Sequence, residues 1–262
     1  MVTTLGVPPV HIVEPAANPA PGGLYSAALV TDIAGPSRIA GGIVRESRNI
    51  GGHGQWPLNG ADVGDDDVKG SDIDCASLAD FDAIGVWASN DSALPGMSEQ
   101  DASLSAHQTL RLTEPVEVEE FLAPKLIEAA TETISVGDAE GSAIVAALAA
   151  VESQAAQTGM QLVIHAPRSV AALAASKALV VRTGNRSNMR LETPLGNVWA
   201  FGTGYGELGS ALVATGPVTV HRSPVIESQA IETKKNHRLV IVEREVAVTW
   251  DGDVIAARYK EG

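Results

Sequence analysis

Six prolines fall within the first 37 residues: Pro8, Pro9, Pro15, Pro19, Pro21 and Pro36. Each removes a backbone donor and fixes φ, so residues 1–37 read as an extended arm rather than a helix or a central strand. The next segment is no more self-sufficient. Residues 38–59 and 76–88 have strand character, with Val44 and Ile50 on one strand and Phe81, Ile84, Val86 and Trp87 on the other. The polar stretch from Asn59 to Asp72 between them predicts a long hairpin with a charged tip. Gly41, Gly42, Gly51, Gly52 and Gly54 weaken that ribbon. Two isolated strands are marginal in water, so it must lie on a surface that its own chain does not obviously supply. Arm and ribbon together point to subunits that embrace their neighbours.

The remaining chain has material for a core, since 45% of the 262 residues are hydrophobic. Aromatic residues reach only 4%, so the interior is built from small, close-packing side chains, which weighs against an aromatic-lined ligand pocket and a small-molecule enzyme. A net charge of -14 opposes general affinity for nucleic acid, which depends on clustered Lys and Arg. DNA near this protein is expected to be contained rather than gripped. The first basic side chain is Arg38, and no run approaches the ~20 apolar residues a bilayer crossing needs. The expectation is a protein made in the cytoplasm, with no membrane partner. Cys75 is the sole cysteine, which excludes an internal disulfide and a Cys-based zinc cage and leaves an inert thiol.

From Met97 to about Ile134 the pattern turns helical, with Val118, Phe121, Leu122 and Leu126 on one stripe. Glu114, Glu117, Glu119 and Glu120 precede Lys125, the order a helix dipole favours. Pro115 suits a first turn and Pro124 predicts a kink or interruption, hence a bent element. Residues 139–158 form an alanine-rich helix closed by Gly159. A strand from Gln161 to Ala166 leads through Pro167 into a short helix ending near Ser176, and short strands follow near 178–183, 197–201, 211–214 and 217–221. Val240, Val242, Val246, Val248 and Trp250 then alternate, Asp251-Gly252 makes a tight turn, and Val254 to Tyr259 returns, which predicts a C-terminal hairpin. Arg244 interrupts that apolar face, its stem laid along the sheet and its head at the edge or paired to a Glu. The fold class is α+β.

No motif carries catalysis. Gly204-Tyr-Gly-Glu-Leu-Gly209 matches the spacing of a dinucleotide loop, but only Ser210-Ala-Leu-Val-Ala precedes Gly216-Pro217, too short for the helix whose N-terminus meets a pyrophosphate. A flexible loop explains it better. Asp65-Asp-Asp-Val-Lys-Gly70 imitates the opening of a calcium loop, yet Lys69 takes a ligand position and Ala76 stands where the closing Glu belongs, so a solvated hairpin tip is the reading. His11, His53, His107, His165, His221 and His237 are scattered without ligand spacing. Catalytic, cofactor-binding and metal residues are therefore assigned as none, and no cofactor is expected.

Several stretches carry a family resemblance: Glu14-Pro-Ala-Ala, Pro21-Gly-Gly-Leu-Tyr-Ser-Ala-Ala, Phe81-Asp-Ala-Ile-Gly-Val-Trp-Ala, Gln161-Leu-Val-Ile-His-Ala-Pro, Thr193-Pro-Leu-Gly-Asn, Ala214-Thr-Gly-Pro-Val-Thr-Val and Arg238 to Gly252. In these stretches, and in the order of its pieces, the chain resembles the HK97-type major capsid proteins of tailed bacteriophages, in particular those of phages infecting actinobacteria, and the related encapsulins. The resemblance implies an N-terminal arm over 1–37, an E-loop hairpin over 38–90, and a P-domain with its spine helix over 91–137. An A-domain over 138–223 and the C-terminal strands of the P-domain over 224–262 complete it. It implies hexamers and pentamers tiling an icosahedral head around double-stranded DNA, assembled in the host cytoplasm, with scaffold, portal and decoration proteins as further partners. Any scaffold is expected to be a separate protein. Some relatives join an E-loop lysine covalently to an asparagine of the next subunit, a role for which Lys69 is the candidate. The alternatives are an encapsulin-like compartment, an enzyme using the glycine loop 202–209, and a tail or other virion protein.

Overall fold

The computed structural model describes residues 15–33, 39–47, 78–136, 142–185 and 189–259. In chain order its elements are α1 Leu24–Ala27, β1 Leu29–Asp32, β2 Ile43–Glu46, β3 Leu78–Phe81, β4 Ala83–Ala93, α2 Glu99–Glu128, β5 Ala130–Val136 and α3 Ala143–Ala155. Then follow β6 Val163–Pro167, α4 Val170–Ser176, β7 Val181–Thr183, β8 Arg190–Glu192, β9 Val198–Gly202, a 3-10 turn at Tyr205–Leu208 and β10 Ala211–Thr215. The chain ends with β11 Val218–Arg222, β12 Ile226–Glu232, β13 His237–Trp250 and β14 Val254–Tyr259.

Helix α2 organises the rest. The Ser98 hydroxyl accepts from the Asp101 amide at 3.1 Å, Glu99 and Asp101 occupy the first turn, and Lys125 lies in the last, all as capping and the dipole require. The helix runs unbroken for 30 residues through both Pro115 and Pro124. This corrects two expectations: Pro115 is not in a first turn, and Pro124 does not interrupt the element. Each proline withholds one amide from the ladder. The loss is outweighed by burial of Ala102, Ala106, Leu110, Val118, Leu122, Ala123 and Leu126 along the same face. The helix also stops earlier than its periodicity predicts. Thr131, Thr133, Ile134 and Val136, β-branched residues that favour extended backbone, form β5 instead.

Two sheets flank α2. One has the order β1-β11-β13-β12, with β4 on the opposite edge of β13; the other runs β5-β14-β10-β6-β9-β8-β7. The alternating valines of β13 point one way: Val240, Val242, Val246 and Val248 join the cluster that holds Leu110, Val118, Leu122 and Leu126. The seven-stranded sheet is covered on both faces. Val163, Ala200, Val213 and Ala256 belong to the α2 side, whereas Ile164, Trp199, Phe201, Leu212 and Ile255 meet α3 and α4. Its central strands β6, β9 and β10 are therefore buried at every position.

The predicted C-terminal hairpin does not form. Strand β13 pairs with β4, β11 and β12, while β14 pairs antiparallel with β10 and parallel with β5, so the chain passes from one sheet to the other at Asp251-Gly252. A two-residue hairpin turn of the type Asp-Gly favours needs positive φ at both positions. Only Gly252 has it, at 67°. The hairpin that does form joins β12 to β13, with Asn236 at φ 51° closing its loop. Sheet membership also cuts across the domain limits read from sequence. Residues 130–136 and 254–259 share a sheet with strands from 163–215, and β11 shares one with β13. The arm departs from an extended segment as well: between Gly22 and Ala34 no proline intervenes, and there α1 and the edge strand β1 form, β1 lying parallel to β11.

Because Pro124 is exposed in the interior of α2, Pro124→Ala is expected to restore one amide at no cost in packing. It should stabilise the subunit by about 1–3 kcal/mol. Urea unfolding followed by circular dichroism measures this, and unchanged or lower stability would show that α2 needs the proline.

Candidate functional site

The sequence singles out the arm, the hairpin and the glycine loop, and the structure shows how each is held. At the hairpin base, β2 and β3 pair antiparallel, Ile43 facing Phe81 and Glu46 facing Leu78. Arg45 is the anchor. Its Nη2 lies 3.0 Å from Oδ2 of the buried Asp251, and its Nη1 donates to the Trp250 carbonyl at 2.6 Å. The Ser47 hydroxyl donates to the other Asp251 oxygen at 2.7 Å, and the Ile39 amide donates to Glu245 Oε2 at 2.9 Å. Phe81 meets Trp250 edge to face with centroids 4.6 Å apart, and Asp82 pairs with Lys125 of α2. The base therefore rests on its own subunit, contrary to the expectation that the ribbon lacks such a surface. The rest of the hairpin, including Cys75, Lys69 and the tip at 60–72, lies outside the described residues, as do His11 and His53.

The arm lands on α2 and β9. Gln108 Nε2 donates to the Ala17 carbonyl at 2.6 Å, and Arg111 Nη2 donates to Asn18 Oδ1 at 2.6 Å. Arg168 Nη1 donates to the Pro21 carbonyl at 3.0 Å, and the Phe201 amide to the Gly22 carbonyl at 2.8 Å. The central acceptor is Glu119, 3% exposed. Its Oε1 accepts from the Leu24 amide at 2.9 Å and its Oε2 from the Gly204 amide at 3.0 Å. Burial pushes this carboxyl above its ordinary range, while the amides of Leu24, Gly204 and Thr203 and the charge of Arg168 pull it back.

That geometry explains the glycine motif. The amide of Gly204 is spent on Glu119, and after Gly209 the chain enters strand β10 rather than a helix. A Cβ at Gly204 would collide with the Val116 carbonyl and stand 2.6 Å from the Glu120 amide; one at Gly202 would meet the Glu119 carboxyl carbon at 2.7 Å. The glycines allow β9 and the turn to touch α2. Nor is the segment a flexible loop, since Tyr205 and Leu208 are buried.

Tyr205 completes a polar chain inside the core. Thr215 donates its hydroxyl proton to the Gly216 carbonyl at 2.9 Å, so it accepts from His165 Nε2 at 3.1 Å, and His165 Nδ1 accepts the Tyr205 phenol proton at 2.9 Å. Full burial lowers the His165 pKa to about 3, and no carboxylate among the described residues is hydrogen-bonded to it to make it a base. The other described histidines are peripheral: His107 meets Glu227 at 3.1 Å, His237 meets Asp91 at 3.0 Å and His221 meets Thr249 at 3.1 Å. No group of His, Cys, Asp and Glu among the described residues could hold a metal ion.

No protein-family model matches the chain, and no curated protein does. Solved structures do. The capsid of the empty GTA particle aligns with a TM-score of 0.56 at 10% identity, over 98% of this chain and 96% of that one. The Microbacterium phage Oxtober96 structure aligns at 0.56 and 12% identity, over 97% and 96%. The holo-SrpI encapsulin complex from Synechococcus elongatus PCC 7942 gives 0.56 and 11% identity, over 97% and 95%. At such identities the likeness is one of fold.

Two measurements test these assignments. Gly204→Ala is expected to cost at least about 1–3 kcal/mol by overpacking against α2; a variant as stable as the parent would return the loop to ligand binding. For His165 the folded pKa, about 3, lies below the ordinary 6.5, so the unfolded chain binds the extra proton. Its contribution is fully present above pH 6.5 and is lost as pH falls, levelling off near 3. Between pH 7.5 and 5.5, His165→Gln should lose about 1.4 kcal/mol less stability than the parent in denaturant titrations. Equal losses would mean that His165 is not held neutral.

Proposed function

We propose that this chain, which has the HK97-type α+β capsid fold, is the major capsid protein of a tailed bacteriophage, self-assembling as hexamers and pentamers into the icosahedral head around the DNA. The observation that carries the reading is that the fold likeness to shell proteins spans 97–98% of this chain, at nearly equal coverage of both partners. Its role is structural rather than catalytic. On this reading 1–37 is the arm, 38–90 the E-loop hairpin, 91–137 and 224–262 the P-domain with α2 as spine, and 138–223 the A-domain, with β5 and β14 tying the two together. Repeated heterologous contacts between identical copies close rings and then shells. An acidic wall without general affinity for nucleic acid lets packaged DNA slide. Scaffold, portal and decoration proteins belong to the same proposal, as does assembly in the host cytoplasm.

An encapsulin compartment is the second reading, favoured by one observation: the SrpI likeness scores 0.56, level with the phage and GTA capsids. Electron microscopy after expression alone is expected to find hollow shells or rings of five or six subunits. Only compact monomers or dimers, with or without co-expressed phage head proteins, would overturn the shell reading. Particles that load a protein cargo and never package DNA would favour the compartment. Deleting residues 60–72 is expected to impair assembly while leaving the subunit folded; normal particles would remove the hairpin's strapping role.

A further inference from the structure

In a chain with 18 basic residues against 32 acidic ones, three arginines line one cavity of about 490 Å³. Apart from Val225, between β11 and β12, its walls come from four places. His107, Leu110, Arg111 and Glu114 form one stripe of α2, Arg222 ends β11, Arg244 projects from β13, and Pro19 and Tyr25 come from the arm. Arg222 and Arg244 share a face because Arg222 lies opposite Val246, two residues beyond Arg244.

The charges in this cavity do not close. Glu114 is the one carboxylate in its lining, and it accepts from the Tyr25 phenol at 2.8 Å while standing 3.5 Å from Arg222 Nη1 and 3.5 Å from Arg244 Nε. Asp32 takes the fork of Arg222 at 2.8 and 3.0 Å. Arg244, 16% exposed, has a buried Nε without a hydrogen bond and an Nη1 no nearer than 4.0 Å to Asp32. Among the described residues Arg111 reaches only neutral acceptors, Ala17 O at 3.3 Å and Asn18 Oδ1 at 2.6 Å, besides Gln108 Oε1 at 3.5 Å. Among the described residues three guanidiniums thus face two carboxylates, one of which lies off the cavity. A buried guanidinium short of acceptors implies a missing partner.

We propose that this cavity is a binding site for an oxyanion of the phosphate class, which completes Arg244 and neutralises Arg111. Guanidiniums that enter from α2, β11 and β13 suit a tetrahedral group with oxygens in several directions better than a planar carboxylate. Leu110, Val225 and Pro19 line the remainder, and their low polarity strengthens the attraction. The anion is either free phosphate or a phosphodiester of nucleic acid. The site stands independently of the shell reading.

Titration calorimetry on the unassembled full chain with sodium phosphate, against sodium chloride at matched ionic strength, tests it. Saturable binding with a Kd of about 1 mM or tighter is expected. Arg111→Gln and Arg244→Gln should each weaken it by tenfold or more, and Arg111→Gln, an exposed position, keeps the test open if the Arg244 variant does not fold. A short oligonucleotide that competes with phosphate, with the same sensitivity to Arg111→Gln, would name nucleic acid as the source; failure to compete would name the free ion. No saturable heat up to about 10 mM phosphate, or an affinity unmoved by Arg111→Gln, would overturn the site.

Discussion

A carboxylate sealed inside a protein must be supplied with donors, and Glu119 draws its own from two distant segments: the Leu24 amide of the arm and the Gly204 amide after β9. Because Glu119 sits in the middle of α2, the arm, the helix and the seven-stranded sheet are tied at one point. Loosening any of the three strands a buried charge, a cost of several kcal/mol. The apolar packing works to the same end. Val118 and Leu122 flank Glu119 and are buried in the cluster that includes strands of both sheets. The helix is therefore both the spacer between the sheets and the carrier of the group that locks them.

Elements with a local cause were legible in the sequence. The valines of β13 alternate because one face of that strand lies on α2, and the alanine-rich α3 gives way to a 3-10 turn at Ala156–Thr158 that is closed by Gly159, whose φ of 71° suits only a glycine well. What was missed depends on distant partners. Strand β12 is exposed at every position, so it carries no alternation to read. Asp251-Gly252 has turn chemistry, but a clasp from Arg45, far back in the chain, settles where it leads. Pro124 signals a break by its local cost alone, and only the burial around Leu122 and Leu126 shows why the helix continues. The glycine motif was legible as a spacing and misleading as a loop, since its cause is the approach of α2.

The polar interior follows a consistent rule. Glu114, Glu119, Glu152, His165 and Asp251 are all buried, and each faces donors or acceptors from another segment rather than from its own element. Glu152 of α3, for example, accepts from Thr193 at 2.6 Å and Asn197 at 2.7 Å, pinning the turn before β9. Apolar burial is tolerant of small slips, whereas such pairs are not, so they select one register among several that the small Ala, Val and Gly side chains would otherwise permit.

Strand β13 runs 14 residues without a break, from the hairpin loop at Asn236 to the crossing at Asp251, a span of roughly 46 Å. An extended backbone hydrogen-bonded along both edges can hardly stretch, so it acts as a tie rod through the subunit. One end of the rod is the exposed β12–β13 loop; at the other, Trp250 and Asp251 grip the base of the β2–β3 ribbon. The β12–β13 loop and the base of the β2–β3 ribbon are in this way the two ends of one continuous strand.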